Sequence, residues 1–383
     1  MAPWPWNLSV DNPRKMRAEP LDLKGRVIHD FPYGPEGRKC PHRALVSLSP
    51  AGSCLHKCPM CYARAYPWSE EGPALYVNTP EKLDRELSRV EICPPLYISQ
   101  VTDPLQPLRE VRELTARVVE VAMRHGVPFH IITKSGEGVL WLLRRVPALS
   151  DYPRWWLSMT IEAPPWKQPV TSPGASPVEE RLKAVEECTR LGVYVSVRTD
   201  PAIWGFVREE DEIWLLDRAC DAGAKHIISA MGHFNRVSMS RLLSALEGAG
   251  FRREAEEVRR IYARGEEEEA WPVKAATLRA PLPLRRYFHS FMRREAESRG
   301  MTYAVCLEMG REWDSEGIPH CEAAPQGTMV RKGPEGKFEP IEGCYADCLR
   351  KCPHPSDPPC GRPELLLQYP FKFSTLLPQG RLF

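Results

Sequence analysis

Apolar positions in this chain fall into short runs separated by amphipathic stretches, an alternation that begins only after about residue 40. The first forty residues carry Pro3, Pro5, Pro13, Pro20 and Pro32 and no sustained periodicity, which predicts an N-terminal surface extension over 1–37. Ala44 to Leu48 then reads as a short buried strand, and Pro80 to Val90 as a helix with Thr79 as its N-cap. Leu96 to Thr102 is the next predicted strand, followed by a helix from Val111 to His125 that Gly126 stops. Further strands are expected at Phe129 to Thr133, Trp155 to Ile161, Tyr194 to Arg198 and His226 to Ala230, each followed by a helical stretch. Gly192 and Gly223 close two of those helices. Six β–α units in series predict an α/β fold, because a parallel crossover needs a connection of helix length. The spacing leaves open whether the sheet is doubly wound or rolled.

After Met239 the pattern changes to long, charged helical segments, among them Arg252 to Arg264, the acidic run Glu266 to Glu269, and Leu282 to Arg299. The acidic run reads as solvated surface. From Met301 the chain is rich in Cys, Gly and Pro, with one more strand at Thr302 to Leu307. The expected organisation is an extension (1–37), a core (38–235), a helical segment (236–300) and a Cys-rich C-terminal module (301–383), the last braced by metal or by packing.

A chain of 383 residues with 43% hydrophobic content can build one large core and an appendage. Its 52 basic and 50 acidic residues leave a net charge of +2, so any polyanion site must be a local patch. No apolar run reaches the roughly 18 residues of a membrane span, and the N-terminus has no secretory pattern; a cytoplasmic protein without a membrane partner is expected. Thirteen cysteines in such a chain are better ligands than disulfides. Four Asn and six Gln fit a hot habitat, where disulfides do persist, or a GC-rich genome.

The densest chemistry is Cys54-Leu-His-Lys-Cys58-Pro-Met-Cys61-Tyr62, directly after the first strand. Three thiolates on one loop can hold three corners of an iron–sulfur cluster and leave the fourth iron open. A zinc knuckle is the alternative, with His56 or Cys40 as fourth ligand. The Cys-x3-Cys-x2-Cys-aromatic pattern, placed after strand one of a repeated β–α array, resembles the radical S-adenosylmethionine (radical SAM) superfamily. That resemblance implies a [4Fe-4S] cluster on Cys54, Cys58 and Cys61 whose open iron chelates SAM. It also implies reductive cleavage to a 5′-deoxyadenosyl radical that abstracts hydrogen, and a partial (β/α)6 TIM-like barrel with its site at the C-terminal ends of the strands.

Thr102-Asp103-Pro104-Leu105-Gln106-Pro107 resembles the Thr-Asp-Pro-x-Gln-Pro signature of the spore photoproduct lyase-like subgroup, often labelled DNA repair photolyases. Thr133-Lys134-Ser135, Ser158-Met159-Thr160-Ile161-Glu162 and Arg181 resemble the same subgroup over roughly Arg38 to Met231. The resemblance implies cofactor contacts from Tyr62, Thr102, Asp103, Lys134, Ser158, Thr160, Glu162, Arg181 and Arg198, the carboxyl and hydroxyl groups for the ammonium or ribose and an arginine for the carboxylate. Loop capping and solvated turns are the plainer reading of each position. The subgroup's namesake carries a hydrogen-donating cysteine at the end of strand two, where this chain has Ser99, Gln100 and Val101; that argues against thymine-dimer reversal by the same route.

Cys344, Cys348, Cys352 and Cys360 form a second group, with Cys306 and Cys321 earlier in the module. A second Fe–S cluster or a structural zinc is expected there, with unligated thiols or disulfides as alternatives. An external electron donor of the ferredoxin or flavodoxin type is implied. The subgroup points to nucleic acid, and Arg285, Arg286, Arg293, Arg294 and Arg299 with Tyr287 and Phe288 could form a basic face. An amphipathic helix with solvated arginines is the favoured reading of that segment. Radical modification of a peptide or small metabolite, and a non-catalytic iron–sulfur protein, are the rival functions.

Overall fold

The computed structural model describes residues 17–31, 39–69, 72–270, 275–348 and 352–379; most of the predicted N-terminal extension lies outside them. Seven parallel strands form the central sheet: β1 (Ala44–Val46), β2 (Leu96–Ile98), β3 (Phe129–Thr133), β4 (Trp155–Thr160), β5 (Tyr194–Thr199), β6 (His226–Ser229) and β7 (Thr302–Val305). They are hydrogen-bonded in chain order from β1 to β7, without the reversal that defines a doubly wound sheet. Every β4 residue is buried and β5 is buried but for Tyr194, as expected of parallel strands covered on both faces.

Helices follow the strands as the apolar periodicity predicts: Arg109–His125, Gly136–Arg145, Val178–Arg190, Glu209–Asp221 and Arg236–Gly248. Gly126 ends the first of these in the left-handed region (φ 79°), its N–H bonded back to Ala122 and Met123; a side chain there would also strike the Phe338 carbonyl. The second strand is shorter than predicted. After Ile98 the chain turns at Ser99 (φ 60°), so residues 99–102 form a turn that delivers Thr102 and Asp103.

Two readings of the later chain are corrected. The acidic run belongs to a strand, Glu266–Ala270, paired antiparallel with Ala275–Arg279, and not to a helix. The strand assigned to the C-terminal module, Thr302–Val305, pairs parallel with His226–Ser229 and completes the main sheet. Beyond it, the hairpin Val330–Lys332 and Phe338–Pro340 pairs with Ile92–Cys93. The segment carrying the last cysteines packs beside β1, where the His42 N–H bonds the Ala346 carbonyl (2.8 Å) and the His42 ring stacks on Tyr369.

Helix Leu282–Ser298 is amphipathic, not a basic platform. Phe288 is buried, Arg285 is buried against the Ala280 and Glu308 carbonyls, and Arg293, Arg294 and Arg299 pair with Glu297, Glu295 and Asp217. Among the described residues no helix is long and apolar enough to cross a membrane.

Candidate active site at the cysteine loop

The loop after β1 is held by three groups from two other segments. The Leu55 N–H donates to Gln106 Oε1 (2.7 Å), the His56 carbonyl accepts from the Gly174 N–H (3.0 Å), and the Tyr62 hydroxyl donates to the Gln100 carbonyl (2.9 Å). Gly174 has no room for a side chain: a Cβ would lie 2.3 Å from the Leu55 carbonyl oxygen. Lys57 takes a left-handed conformation (φ 54°), which turns the chain between Cys54 and Cys58. Burial pushes the Cys54 thiol up, and the Cys58 thiol up to about 12, so a bound cationic metal is what would hold both as thiolates at neutral pH. His56 is buried beside Asp103 (3.4 Å), and among the described residues its Nε2 has no hydrogen-bond partner. Three thiols without a fourth on the loop, above a buried polar group with one unmatched nitrogen, suit a cluster that takes an external ligand.

Beneath the loop, the strand ends supply a connected set of charges. Asp103 accepts from the Leu105 N–H (2.8 Å), the Thr133 hydroxyl (2.7 Å) and the Lys134 N–H (2.6 Å), which fixes the turn after β2 to the end of β3. Lys134 Nζ donates to Glu162 Oε2 at 2.6 Å. Glu162 also accepts from Arg181 (3.1 Å), the Thr171 hydroxyl (2.8 Å) and the Ser172 hydroxyl. Burial alone would raise the Glu162 pKa, but Lys134 and Arg181 hold it well below the usual carboxylate range. Thr102 is bonded to Ser99 (2.5 Å).

Four of the residues expected to contact the cofactor have partners within the protein. Arg181 is wholly buried, its guanidinium donating to the Thr160 and Ser176 carbonyls, Ser172 and Glu162, and Thr160 contributes that carbonyl. Ser158 and Arg198 belong to a second network on the same sheet. There Glu322 accepts from Arg43 (3.0 Å), Arg198 (3.2 Å) and Ser158 (3.1 Å), and Ser158 also contacts His130 (2.7 Å) and Ser196 (2.6 Å). Burial opposes a charge on Glu322, but His130, Arg43 and Arg198 keep it ionised.

The second cysteine group also converges. Cys344, Cys348, Cys352 and Cys360 line one small cavity with Pro358, Pro359 and Arg362. Among the described residues no three ligand-type side chains yet stand at metal-bonding distance, the loop cysteines included. Sequence reading missed Gln106 as a loop anchor, Thr171, Ser172 and Gly174, and Glu322 with Arg43 and His130. Gln106 lay inside the quoted motif and His130 inside the predicted strand Phe129 to Thr133; the others carry no local signal of their role.

The strand order, the thiol loop and the charges at the strand ends are similar to those of radical SAM enzymes. Comparison with known proteins gives the particular likeness. The chain is 25% identical over 367 residues to the radical SAM Nalpha-GlyT isomerase of Pseudomonas phage M6, spanning 91% of this chain and 73% of that protein. Its fold matches spore photoproduct lyase complexed with dinucleoside spore photoproduct (TM-score 0.52, 15% identity, 73% of this chain and 80% of that one). A cysteine-to-serine variant of the same lyase matches similarly (TM-score 0.53, 14% identity, 75% and 82%). No protein-family model matches the chain.

Proposed function

We propose that this chain makes a 5′-deoxyadenosyl radical at the mouth of a partial (β/α)6 barrel and applies it to a base of a nucleic acid. The observation that carries the reading is the three-thiol loop seated over Asp103, Lys134 and Glu162. The rolled sheet is supported by the unbroken strand order and by Arg43, before β1, meeting Glu322, after β7. When bound, a [4Fe-4S] cluster and SAM supply the radical that takes hydrogen from the substrate. Cys54, Cys58 and Cys61 would hold three irons. Asp103 and the ionised Glu162 offer acceptors to the SAM ammonium or ribose, and Lys134 offers a cation for its carboxylate, since Arg181 is committed to positioning Glu162.

The substrate class is supported by an aromatic strip that begins one residue after Cys61. Tyr62 and Tyr66 lie 5.7 Å apart and Tyr66 and Trp68 5.0 Å apart, with Tyr62 47% and Trp68 53% exposed. Arg64 and Arg241 adjoin it, with Arg241 donating to the Arg64 carbonyl. Aromatic faces beside cations suit unstacked bases. An electron donor of the ferredoxin or flavodoxin type reduces the cluster in this scheme, and the C-terminal four cysteines hold a second Fe–S cluster or a zinc ion. The test is spectroscopic: the electron paramagnetic resonance signal of the reduced, reconstituted protein shifts when SAM is added, whereas an unchanged signal shows that no iron is open to it.

A further inference from the structure

Two arginines meet beside the cysteine loop and spend their hydrogen bonds on backbone carbonyls. Arg64 lies in the Ala63–Ala65 turn that follows Cys61, and its Nη1 donates to the carbonyls of Lys57 (3.3 Å) and Cys58 (3.4 Å), inside the thiol loop itself. Arg241 comes from helix Arg236–Gly248, 177 residues further along the chain, and its Nη2 donates to the Arg64 carbonyl (2.9 Å). That helix packs against the Ala63–Ala65 turn and also against Gln168–Thr171, the turn whose Thr171 hydroxyl bonds Glu162. Arg241 is therefore held in place by the fold on both sides of the site.

A carbonyl partner cancels no charge, and a guanidinium stays protonated at any working pH. Elsewhere in the sheet the buried arginines are balanced by acids: Arg43 and Arg198 by Glu322, and Arg181 by Glu162. Arg241 has no such partner among the described residues. Burial and the Arg64 charge hold its pKa down, and only the Cys61 thiolate opposes them. Its Nη1 is buried and, among the described residues, has no hydrogen-bond partner. Two like charges kept this close next to a ligand thiol are favourable only where negative charge collects. On the cluster reading above, three thiolates gather there and reduction adds a further electron.

We propose that Arg64 and Arg241 are positioning residues that raise the reduction potential of the cluster, acting through the thiol loop rather than by touching SAM or substrate. Net charge and hydrogen bonds around the sulfurs are the protein's means of setting such potentials. Reconstituted full-length protein is titrated against redox dyes without oxygen, SAM or substrate. The reduced cluster is followed by electron paramagnetic resonance, and iron per chain is measured in each variant. Losing one unit charge about 12 Å away, through an effective dielectric near 20, alters such an equilibrium about tenfold. Arg241→Gln is expected to disfavour reduction about tenfold, a midpoint about 59 mV lower. Arg64→Gln should shift the midpoint in the same direction, and Arg241→Lys, which keeps the charge, should retain the wild-type value. If Arg241→Gln does not hold iron, Arg241→Met, which keeps the apolar stem packed, decides in its place. An unchanged midpoint in the iron-loaded neutral variant, or a shift in Arg241→Lys as large as in Arg241→Gln, overturns the proposal. Because no SAM is present, that result counts against the arginines alone. Failure of the radical reading shows instead as a reduced signal that SAM leaves unchanged, and a wild-type chain that takes up no iron overturns both.

Discussion

Arg181 places Nη1 3.1 Å from Glu162 Oε2, and both side chains are shut off from solvent. A buried pair of this kind is costly to desolvate, and removing one partner leaves the other charge stranded. Here Lys134 adds a second cation, and the hydroxyls of Thr171 and Ser172 occupy the other carboxylate oxygen.

Glu162→Gln should therefore lower stability at pH 7 by about 3–5 kcal/mol, as stranded buried charges do. The sign with pH follows from the depressed pKa. The stabilisation from Glu162 is complete above the ordinary carboxylate value near 4.5 and is lost as pH falls toward its own lower value. Thermal melts of both proteins should converge on acidification; a gap that stays constant from pH 7 to pH 3 contradicts this assignment.

Gly174→Ala tests the seat of the loop. With a Cβ directed at the Leu55 carbonyl, the backbone around Cys54 has to move. Iron bound after reconstitution should fall at least several-fold while the far-ultraviolet dichroism keeps its wild-type shape. Full iron loading would show that the close approach is dispensable.

Glu212 behaves in the opposite sense to Glu162. It is fully buried in helix Glu209–Asp221, both carboxylate oxygens lack a hydrogen-bond partner among the described residues, and burial with the neighbouring Asp211 charge raises its pKa well above 4.5. A raised carboxyl costs stability progressively as pH climbs above the unfolded value. Glu212→Gln should thus raise the melting temperature at pH 8 and change it little near pH 4. A lower melting temperature at pH 8 would refute a buried, protonated Glu212.

Trp68→Ala addresses the substrate class. Loss of one stacking ring should weaken binding of a single-stranded oligonucleotide by roughly 5- to 100-fold, matching about 1–3 kcal/mol per stacked base. Fluorescence anisotropy measures it directly. Equal affinity in both proteins would remove the aromatic strip from the substrate site.

The repeated strands and helices were legible because burial on both faces makes each strand a near-continuous apolar run, as in Phe129–Thr133 and Trp155–Thr160. The cysteine loop and Asp103, Lys134 and Glu162 were legible because local motifs carry them. Arg181 was singled out, but its direct bond to Glu162 was not, because the two lie 19 residues apart and meet only once the chain folds back after β4. Glu322 was invisible for a stronger reason: it meets Arg43 across 279 residues and Ser158 across 164, and sequence spacing holds no record of such contacts. The acidic run was misread because a strand made of glutamates contradicts β-propensity, and its pairing with Ala275–Arg279 overrides that preference.

The central claim is tested most directly by incubating reconstituted, dithionite-reduced protein with SAM under anaerobic conditions and measuring 5′-deoxyadenosine by chromatography. The account predicts its formation by the wild-type chain and its absence in Cys58→Ala. No 5′-deoxyadenosine from an iron-loaded wild-type protein, or an undiminished yield from Cys58→Ala, would contradict it.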